Sequence, residues 1–258
     1  MFKITSLTVY STEDICSFFD NKNTYGVFLI FGTLAAIILK IVLKQQRWVA
    51  IAGLFVVNEL MAMCRTALVL SMILIIISFL IDKKTRFQGF IALIFFIGLT
   101  VVLVRHNESA EYFLTNTLFG NYSSLEARND YVENMLSLVK EDHFWFGYGN
   151  SNAMKLAAEY TGNAYYHNTY LKCLISGGVV KLALQILAIM LSIKYGLKNR
   201  VYNKTLGNLC LLSTCIYVIY SFVESVVLFD TPVVAIMTVM FIISIPILFY
   251  NASIYEKN

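Results

Sequence analysis

Apolar runs that are long enough to cross a membrane constrain this chain more than any other feature. A helix rises about 1.5 Å per residue, so roughly 17 to 25 apolar residues span a hydrocarbon core about 30 Å thick. By this measure we place seven spans near residues 24 to 43, 48 to 64, 66 to 82, 87 to 104, 179 to 197, 207 to 228 and 233 to 250. The sequence therefore predicts an all-α polytopic membrane protein with about seven transmembrane helices and one large external loop that contains short helices.

The composition excludes most other classes of protein. Hydrophobic residues make up 58% of the 258 residues, against about 45 to 50% in an ordinary globular protein. The net charge of +4 does not indicate nucleic-acid binding, because the basic residues lie in short clusters between apolar runs. The five cysteines have no CxxC spacing and are interpreted as small hydrophobic residues. We therefore treat residues 1–258 as a single membrane domain.

Clusters of lysine and arginine predict the orientation of the spans. Ten of the twenty basic residues lie in three short loops, at Lys40, Lys44 and Arg47, at Lys83, Lys84 and Arg86, and at Lys194, Lys198, Arg200 and Lys204. With seven spans, all three loops fall on one side, which the positive-inside rule assigns to the cytoplasm. Residues 1–23 and 105–178 are then external. Four spans occupy residues 24–104, three spans occupy residues 179–250, and residues 251–258 form a cytoplasmic tail.

The external position of residues 1–23 carries a further expectation. This segment has no basic-then-apolar signal pattern that would take it across a membrane. The simplest interpretation is that earlier spans are missing, and that the chain is the C-terminal portion of a longer protein.

Charged residues inside the apolar runs shape the predicted helices. The stretch "ELMAMCRTALVLSM" would bury Arg65 near the middle of the bilayer if it were one helix, at a cost of at least about 2.5 kcal/mol. A hairpin with Arg65 at its external turn avoids that cost. Glu59 and Glu224 lie inside predicted spans, and we interpret each as a stabilising partner for an arginine or lysine within the bundle.

The long external loop begins with a predicted helix. Ser123 followed by Glu126 matches the capping box that begins helices. Residues at spacings of three and four then form one face, namely Arg128, Tyr131, Val132, Met135 and Val139. This pattern predicts a helix that docks through its apolar face, with Arg128 at the N-terminal end of that face.

The second half of the loop predicts two more short helices. The stretch "HFWFGYGNSNAM" contains a tight turn at Gly147 and Gly149 and is rich in the aromatic residues that collect at membrane interfaces. Ser151 is a candidate cap for a helix that extends to Tyr160. A last helix, from about Tyr166 to Ile175, would end at a glycine pair just before the fifth span. His167 would then lie at a helix start, outside the hydrocarbon.

Four stretches resemble one family. "FDNKNTYGVFLI", "MCRTALVLSMIL", "EARNDYVENMLSLVKEDHFWFGYGN" and "HNTYLKCLISGGVVKLAL", in this order, resemble the bacterial O-antigen ligase and O-antigen polymerase superfamily. The His-Asn-x-Tyr-Leu motif at the start of a span is the most specific of them. Cys64 replaces the serine that usually precedes the arginine, and Glu141 to Phe144 stand where a His-Pro pair is common. Family members also usually have more spans upstream.

The resemblance implies glycosyl transfer on the external face of the bacterial plasma membrane. An oligosaccharide on undecaprenyl diphosphate would move to a sugar hydroxyl of a glycan acceptor. Arg65 and Arg128 would stabilise the diphosphate leaving group through bidentate hydrogen bonds, and His167 would act as the base that deprotonates the acceptor. The residues expected to bind substrate are Asn168, Tyr170, Lys172, Tyr131 and Asn23.

Several alternatives stay open from the sequence. A polymerase of the O-antigen or capsule type is favoured, and transfer to a lipid or cell-wall anchor, transport of lipid-linked glycan, and an inactive truncated remnant are the others. We expect no metal and no cofactor, because no compact carboxylate cluster, HExxH motif or nucleotide-binding motif is present. Membrane lipids and other polysaccharide-assembly membrane proteins are the further expected partners.

Overall fold

The computed structural model describes residues 22–62, 64–81, 87, 90–91, 94, 132–139, 141–161, 166–228 and 238–255. This part of the chain is helical and contains no strand. Its helices are α1 (Lys22–Leu43), α2 (Arg47–Met61), α3 (Arg65–Ile81), α4 (Asn150–Thr161), α5 (Thr169–Tyr202), α6 (Lys204–Val223) and α7 (Ile245–Tyr255). A short 3₁₀ turn at Glu141–His143 precedes α4, and a π-helical turn at Met240–Ser244 leads directly into α7.

Among the residues that the structure describes, three helices are long and apolar enough to cross a membrane. They are α1 over Asn23–Leu43, α5 and α6. Thr66–Leu80 in α3 and Ile242–Asn251 near the C-terminus are shorter apolar helical segments. Over the described residues, the prediction of an all-α fold with helices that can span a membrane is confirmed, while the count of seven spans stays a prediction. The predicted span over residues 87–104 lies outside the described residues, apart from a few isolated positions.

The hairpin predicted at Arg65 is present. Helix α2 ends at Met61 and α3 begins at Arg65, and the backbone N–H of Cys64 donates to the carbonyl of Glu59 at 3.0 Å across the turn. Gly26 of α1 packs against this turn, because a Cβ atom there would lie 3.1 Å from the Cβ atoms of Cys64 and Ala67. The start of α3 therefore lies beside the start of α1.

A single residue separates α5 from α6. The side chain of Asn203 accepts hydrogen bonds of 3.1 Å from the backbone N–H groups of Thr205 and Leu206, which caps α6 immediately after α5 has ended. The predicted loop between residues 197 and 207 is thus largely helical. Helix α6 ends at Val223, so the prediction that Glu224 lies inside a span is wrong: its backbone is extended, with φ −137° and ψ 158°.

Helix α5 has a break at Gly178, where φ is 65° and ψ is −166°. The part before the break, Thr169 to Gly177, corresponds to the short helix predicted over Tyr166 to Ile175, and the part after it is the fifth predicted span. At the other end of the chain, α7 continues to Tyr255. Residues 251–255 are therefore helical, where the sequence predicted a tail.

Polar contacts join the helices inside the bundle. The hydroxyls of Ser192 in α5 and Thr214 in α6 lie 2.6 Å apart, and the side-chain nitrogen of Asn199 donates to the carbonyl of Pro246 at 2.7 Å. All three side chains are buried. In a bilayer the apolar side chains gain little from leaving lipid, so close packing and interhelical hydrogen bonds supply much of the stabilisation.

The described part of the loop between α3 and α5 has a small core of its own. Met135 and Leu138 are buried against Ala153 and Ala157 of α4, and Tyr166 donates from its hydroxyl to the carbonyl of Ala153 at 2.8 Å. This agrees with the apolar face predicted for the helix through Met135. Its predicted start, including Ser123, Arg128 and Tyr131, lies outside the described residues. Helix α4 begins one residue before Ser151, so Ser151 is not its cap.

Candidate active site

The ends of five helices lie together at one end of the bundle. Helices α1, α3 and α5 begin there, while α2 and α6 end there. This end contains Asn23, His167 and Glu224, which are far apart in the sequence. Where several helix ends meet, side chains from different elements can face one substrate.

His167 and Glu224 face each other at this end. The Nδ1 atom of His167 lies 3.7 Å from Oε2 of Glu224, and the two side chains are 28% and 11% exposed. The next residue, Asn168, fixes where α5 begins. The Asn168 side chain caps the helix by accepting from the N–H groups of Tyr170 (2.9 Å) and Leu171 (3.0 Å). His167 is thereby the last residue before the cap, outside the helical hydrogen bonds.

Glu224 is held from several directions. The side-chain nitrogen of Asn23 donates to Oε1 of Glu224 at 2.9 Å. Asn23 therefore binds one carboxylate oxygen, and His167 faces the other. The backbone of the same segment is bound by Thr169, whose hydroxyl donates to the carbonyl of Glu224 at 2.8 Å. The same hydroxyl accepts from the N–H of Val226 at 2.7 Å. The start of α5 and the segment after α6 are therefore fixed together.

A tyrosine connects this pair to the α2–α3 hairpin. The hydroxyl of Tyr220 donates to the backbone carbonyl of Asn23 at 3.2 Å, and it is close enough to Glu224, Cys64 and Glu59 to interact electrostatically with each. Glu59 is fully buried and accepts a hydrogen bond of 2.6 Å from Ser71 at its Oε1 atom. The start of α3, where Arg65 stands, therefore borders the site. The side chain of Arg65 lies outside the described part of the structure.

The structure describes four of the five residues predicted to bind substrate, namely Asn23, Asn168, Tyr170 and Lys172. Asn23 and Asn168 are at the site, but their side chains hold protein groups: Asn23 binds Glu224, and Asn168 caps α5 and donates weakly to the carbonyl of Phe222 at 3.4 Å. Tyr170 packs its ring against Phe222, with centroids 4.9 Å apart. Lys172 is half-buried one turn into α5. Arg128 and Tyr131 lie outside the described residues.

Sequence reasoning missed the pairing of Glu224 with His167. The signal available was an acidic residue close to the predicted external end of a span, 57 positions after the histidine. The sequence predicts an arginine or lysine as the partner of Glu224, whereas the structure places Asn23 and His167 beside its carboxylate. For Glu59, the contact shown is Ser71.

A family model described as O-antigen ligase matches residues 50–186, just over half of the chain. The chain belongs to this O-antigen ligase family. The match includes most of the α2–α3 hairpin, the long loop that precedes α5, His167 and the first half of α5, while Asn23 and Glu224 lie outside the matched residues. No curated protein and no solved structure matches the chain.

Membership of the O-antigen ligase family agrees with the resemblance found in the sequence. It implies a membrane location and a glycosyl-transfer activity of the O-antigen ligase or polymerase type. The geometry places a histidine beside a carboxylate. A neutral imidazole whose Nδ1–H faces a carboxylate keeps its lone pair on Nε2, where it can accept a proton.

Proposed function

We propose that this chain is a glycosyltransferase that moves an oligosaccharide from undecaprenyl diphosphate to a sugar hydroxyl outside the cytoplasm, and that it acts as a polysaccharide polymerase of the O-antigen or capsule type. One observation carries the proposal: in a chain of the O-antigen ligase family, Nδ1 of His167 lies 3.7 Å from the Glu224 carboxylate where the helix ends meet. This contact supports the roles proposed for the two residues, with His167 as the base and Glu224 as the group that orients it.

The proposed reaction is a single displacement at the anomeric carbon of the donor sugar. The acceptor oxygen attacks this carbon while its proton passes to Nε2 of His167. The bond from the anomeric carbon to the diphosphate oxygen breaks, and its electron pair leaves with undecaprenyl diphosphate. Glu224 holds the imidazole in the required tautomer and stabilises the imidazolium that forms.

Arg65 and Arg128 are proposed to stabilise the charge that develops on the diphosphate. This leaving group is already acidic, so it needs electrostatic stabilisation more than it needs a proton. A guanidinium offers two parallel N–H groups to phosphate oxygens, which a divalent cation would otherwise bind. The support for Arg65 is that α3 begins with it at the same end of the bundle as Asn23. Arg128 is proposed from the family motif alone.

The proposed topology has seven spans with this site on the external face of the bacterial plasma membrane. The helices support a common end for His167, Asn23 and the α2–α3 turn. The clustered lysines and arginines support assigning the opposite end to the cytoplasm. The donor and the acceptor would then both be external substrates.

Transfer to a lipid or cell-wall anchor is the second candidate. The matched family is described as O-antigen ligase, which is a specific observation in its favour. The glycan of a deletion strain separates the two activities. Loss of a polymerase leaves single repeat units attached to the anchor, whereas loss of a ligase leaves long chains on undecaprenyl diphosphate.

The proposed chemistry is tested with the purified full-length protein in proteoliposomes that contain a lipid-linked repeat unit. We expect His167→Ala to lower the rate of glycan formation by roughly 10²- to 10⁴-fold, the usual contribution of a general base. A matched control is His143→Phe, which keeps a ring in the place where His143 stacks on Tyr148 at 4.0 Å. Undiminished product from His167→Ala, or activity abolished by a chelator, would reject this mechanism.

A further inference from the structure

The turn over residues 144–149, which we call the aromatic turn, packs its backbone against the break in α5. The N–H groups of Tyr148 and Gly149 donate at 2.9 Å to the carbonyls of Ile175 and Ser176, which end the first part of α5. The N–H groups of Val179 and Val180 donate to the carbonyls of Phe144 (2.9 Å) and Trp145 (3.2 Å). A broken helix leaves backbone groups without hydrogen-bond partners, and here the turn supplies partners for four such groups.

Two glycines allow this close approach. Gly178 has φ 65° and Gly147 has φ 62°, and neither has room for a side chain. A Cβ atom on Gly178 would meet the carbonyl of Trp145, and one on Gly147 would meet the backbone of Ile175 and Gly177. The turn is therefore fixed to α5 through its backbone.

The side chains of the same turn point away from the protein. Trp145 and Phe146 are 61% and 76% exposed, and Phe144 is exposed as well. Their neighbour Tyr148 behaves differently, since it is half-buried and its hydroxyl donates to the carbonyl of Leu138 at 2.8 Å. A rigid turn thus presents three consecutive large aromatic side chains outwards.

These aromatic residues extend an apolar surface of α5. Four exposed residues follow the break at spacings of four, three and four, namely Val180, Leu184, Leu187 and Leu191. They lie on one face of a helix that is long and apolar enough to cross a membrane. The hydrogen bond from Val180 to Trp145 places the aromatic turn at the end of this face.

We propose that Phe144, Trp145 and Phe146 insert into the bilayer at the boundary between headgroups and acyl chains, next to the apolar face of α5. Tryptophan collects at this depth because its apolar ring carries one polar N–H group. The partner is bilayer lipid, since the surface is continuous with the exposed apolar face of a helix that is long and apolar enough to cross a membrane. Insertion fixes the depth of the α5 break, and a helical segment roughly 13 Å long connects the break to His167. The inference does not depend on the reaction proposed above.

Tryptophan fluorescence tests the insertion, because the chain has only two tryptophans. Trp48 lies in the first turn of α2, at the other end of the bundle. Trp48→Phe leaves Trp145 as the only tryptophan, whose emission is excited selectively over that of tyrosine. In phosphatidylcholine vesicles we expect emission that is blue-shifted from that of free tryptophan. We also expect more quenching by a lipid nitroxide near the headgroup than by one near the chain end, and little quenching by aqueous iodide.

The other outcomes overturn the proposal. Stronger quenching by the chain-end nitroxide places the ring too deep, and strong iodide quenching without nitroxide quenching places it in water. Protection from all quenchers shows that protein covers the ring. If Trp48→Phe does not fold, the difference in emission and quenching between the unmodified chain and Trp145→Phe isolates the same signal. Glycosyl transfer is not measured, so failure here leaves the proposed reaction intact.

Discussion

The side-chain nitrogen of Asn23 lies 2.9 Å from Oε1 of Glu224, which joins the start of α1 to the segment that follows α6. The other oxygen of the same carboxylate lies 3.7 Å from Nδ1 of His167. Because Asn23 holds one oxygen, the carboxylate cannot rotate away from the histidine without losing a hydrogen bond. Asn23 therefore holds the Glu224 carboxylate in the orientation in which it faces His167.

The first prediction tests whether Glu224 acts through His167. Glu224→Gln keeps the size of the side chain but removes the charge that stabilises an imidazolium, so glycosyl transfer should slow by roughly 10- to 10³-fold. The double variant with His167→Ala should be no slower than His167→Ala alone, since residues that act as a unit are not additive. Rates measured in proteoliposomes check this. Multiplicative losses would show that Glu224 acts separately from the histidine.

The second prediction concerns the glycine at the break in α5. Gly178→Ala requires a backbone conformation that is essentially restricted to glycine and places a Cβ atom against Trp145, so we expect a loss of roughly 2 to 5 kcal/mol. Gly149→Ala is the matched control. Gly149 also has a positive φ, 77°, but open space around it, so it should cost only about 1 to 2 kcal/mol. Thermal unfolding in detergent compares the two, and equal losses would contradict the packing described here.

The third prediction concerns the buried carboxyl group of α2. Ser71→Ala removes the hydroxyl that donates to Glu59 at 2.6 Å and should destabilise the protein by about 1 to 3 kcal/mol, because Glu59 is fully buried. Ser78→Ala is the control in the same helix. Ser78 is equally buried, but its hydroxyl donates to the local carbonyl of Ile75, so its loss should cost under about 1 kcal/mol. Thermal unfolding of both variants decides whether the contact between helices matters more than the local one.

The fourth prediction concerns the arginines proposed to bind diphosphate. Arg128→Lys keeps the positive charge but loses the planar pair of donors, so activity should fall sharply while the protein still folds. Arg65→Lys should behave in the same way. Glycan formation and the elution profile from size-exclusion chromatography measure activity and folding separately. Full activity in both lysine variants would show that charge alone is sufficient.

The fifth prediction concerns orientation. Cys64, Cys173 and Cys210 are buried, whereas Cys215 is exposed. Labelling is therefore best done in a background that lacks Cys215 and also Cys16, which lies outside the described residues. In intact cells, a membrane-impermeant maleimide should label Ser151→Cys, at the exposed start of α4, and should not label Lys84→Cys. Permeabilised cells provide the control, in which both positions should react. The reverse pattern in intact cells would place the His167 site in the cytoplasm and remove its proposed substrates.

Local features of this protein follow from the sequence alone. The apolar runs define α1, α2, α3 and much of α5 and α6, because the length of a run and the thickness of a bilayer fix where a helix can lie. The hairpin at Arg65 follows from the cost of burying an arginine in lipid. The short helix that begins beside His167 and ends at the glycine pair follows from local backbone preferences.

Only the tertiary structure decided which side chains meet. Glu224 lies 57 residues beyond His167 and 201 beyond Asn23, and its position depends on α6 ending at Val223 and on Thr169 holding the extended segment that follows. The aromatic turn fits the break at Gly178 for a similar reason, since backbone groups about thirty residues apart satisfy one another. Such contacts depend on how helices pack and where they end. Hydropathy and local propensity indicate several of the helix ends but not the packing, because both describe neighbours in sequence rather than neighbours in space.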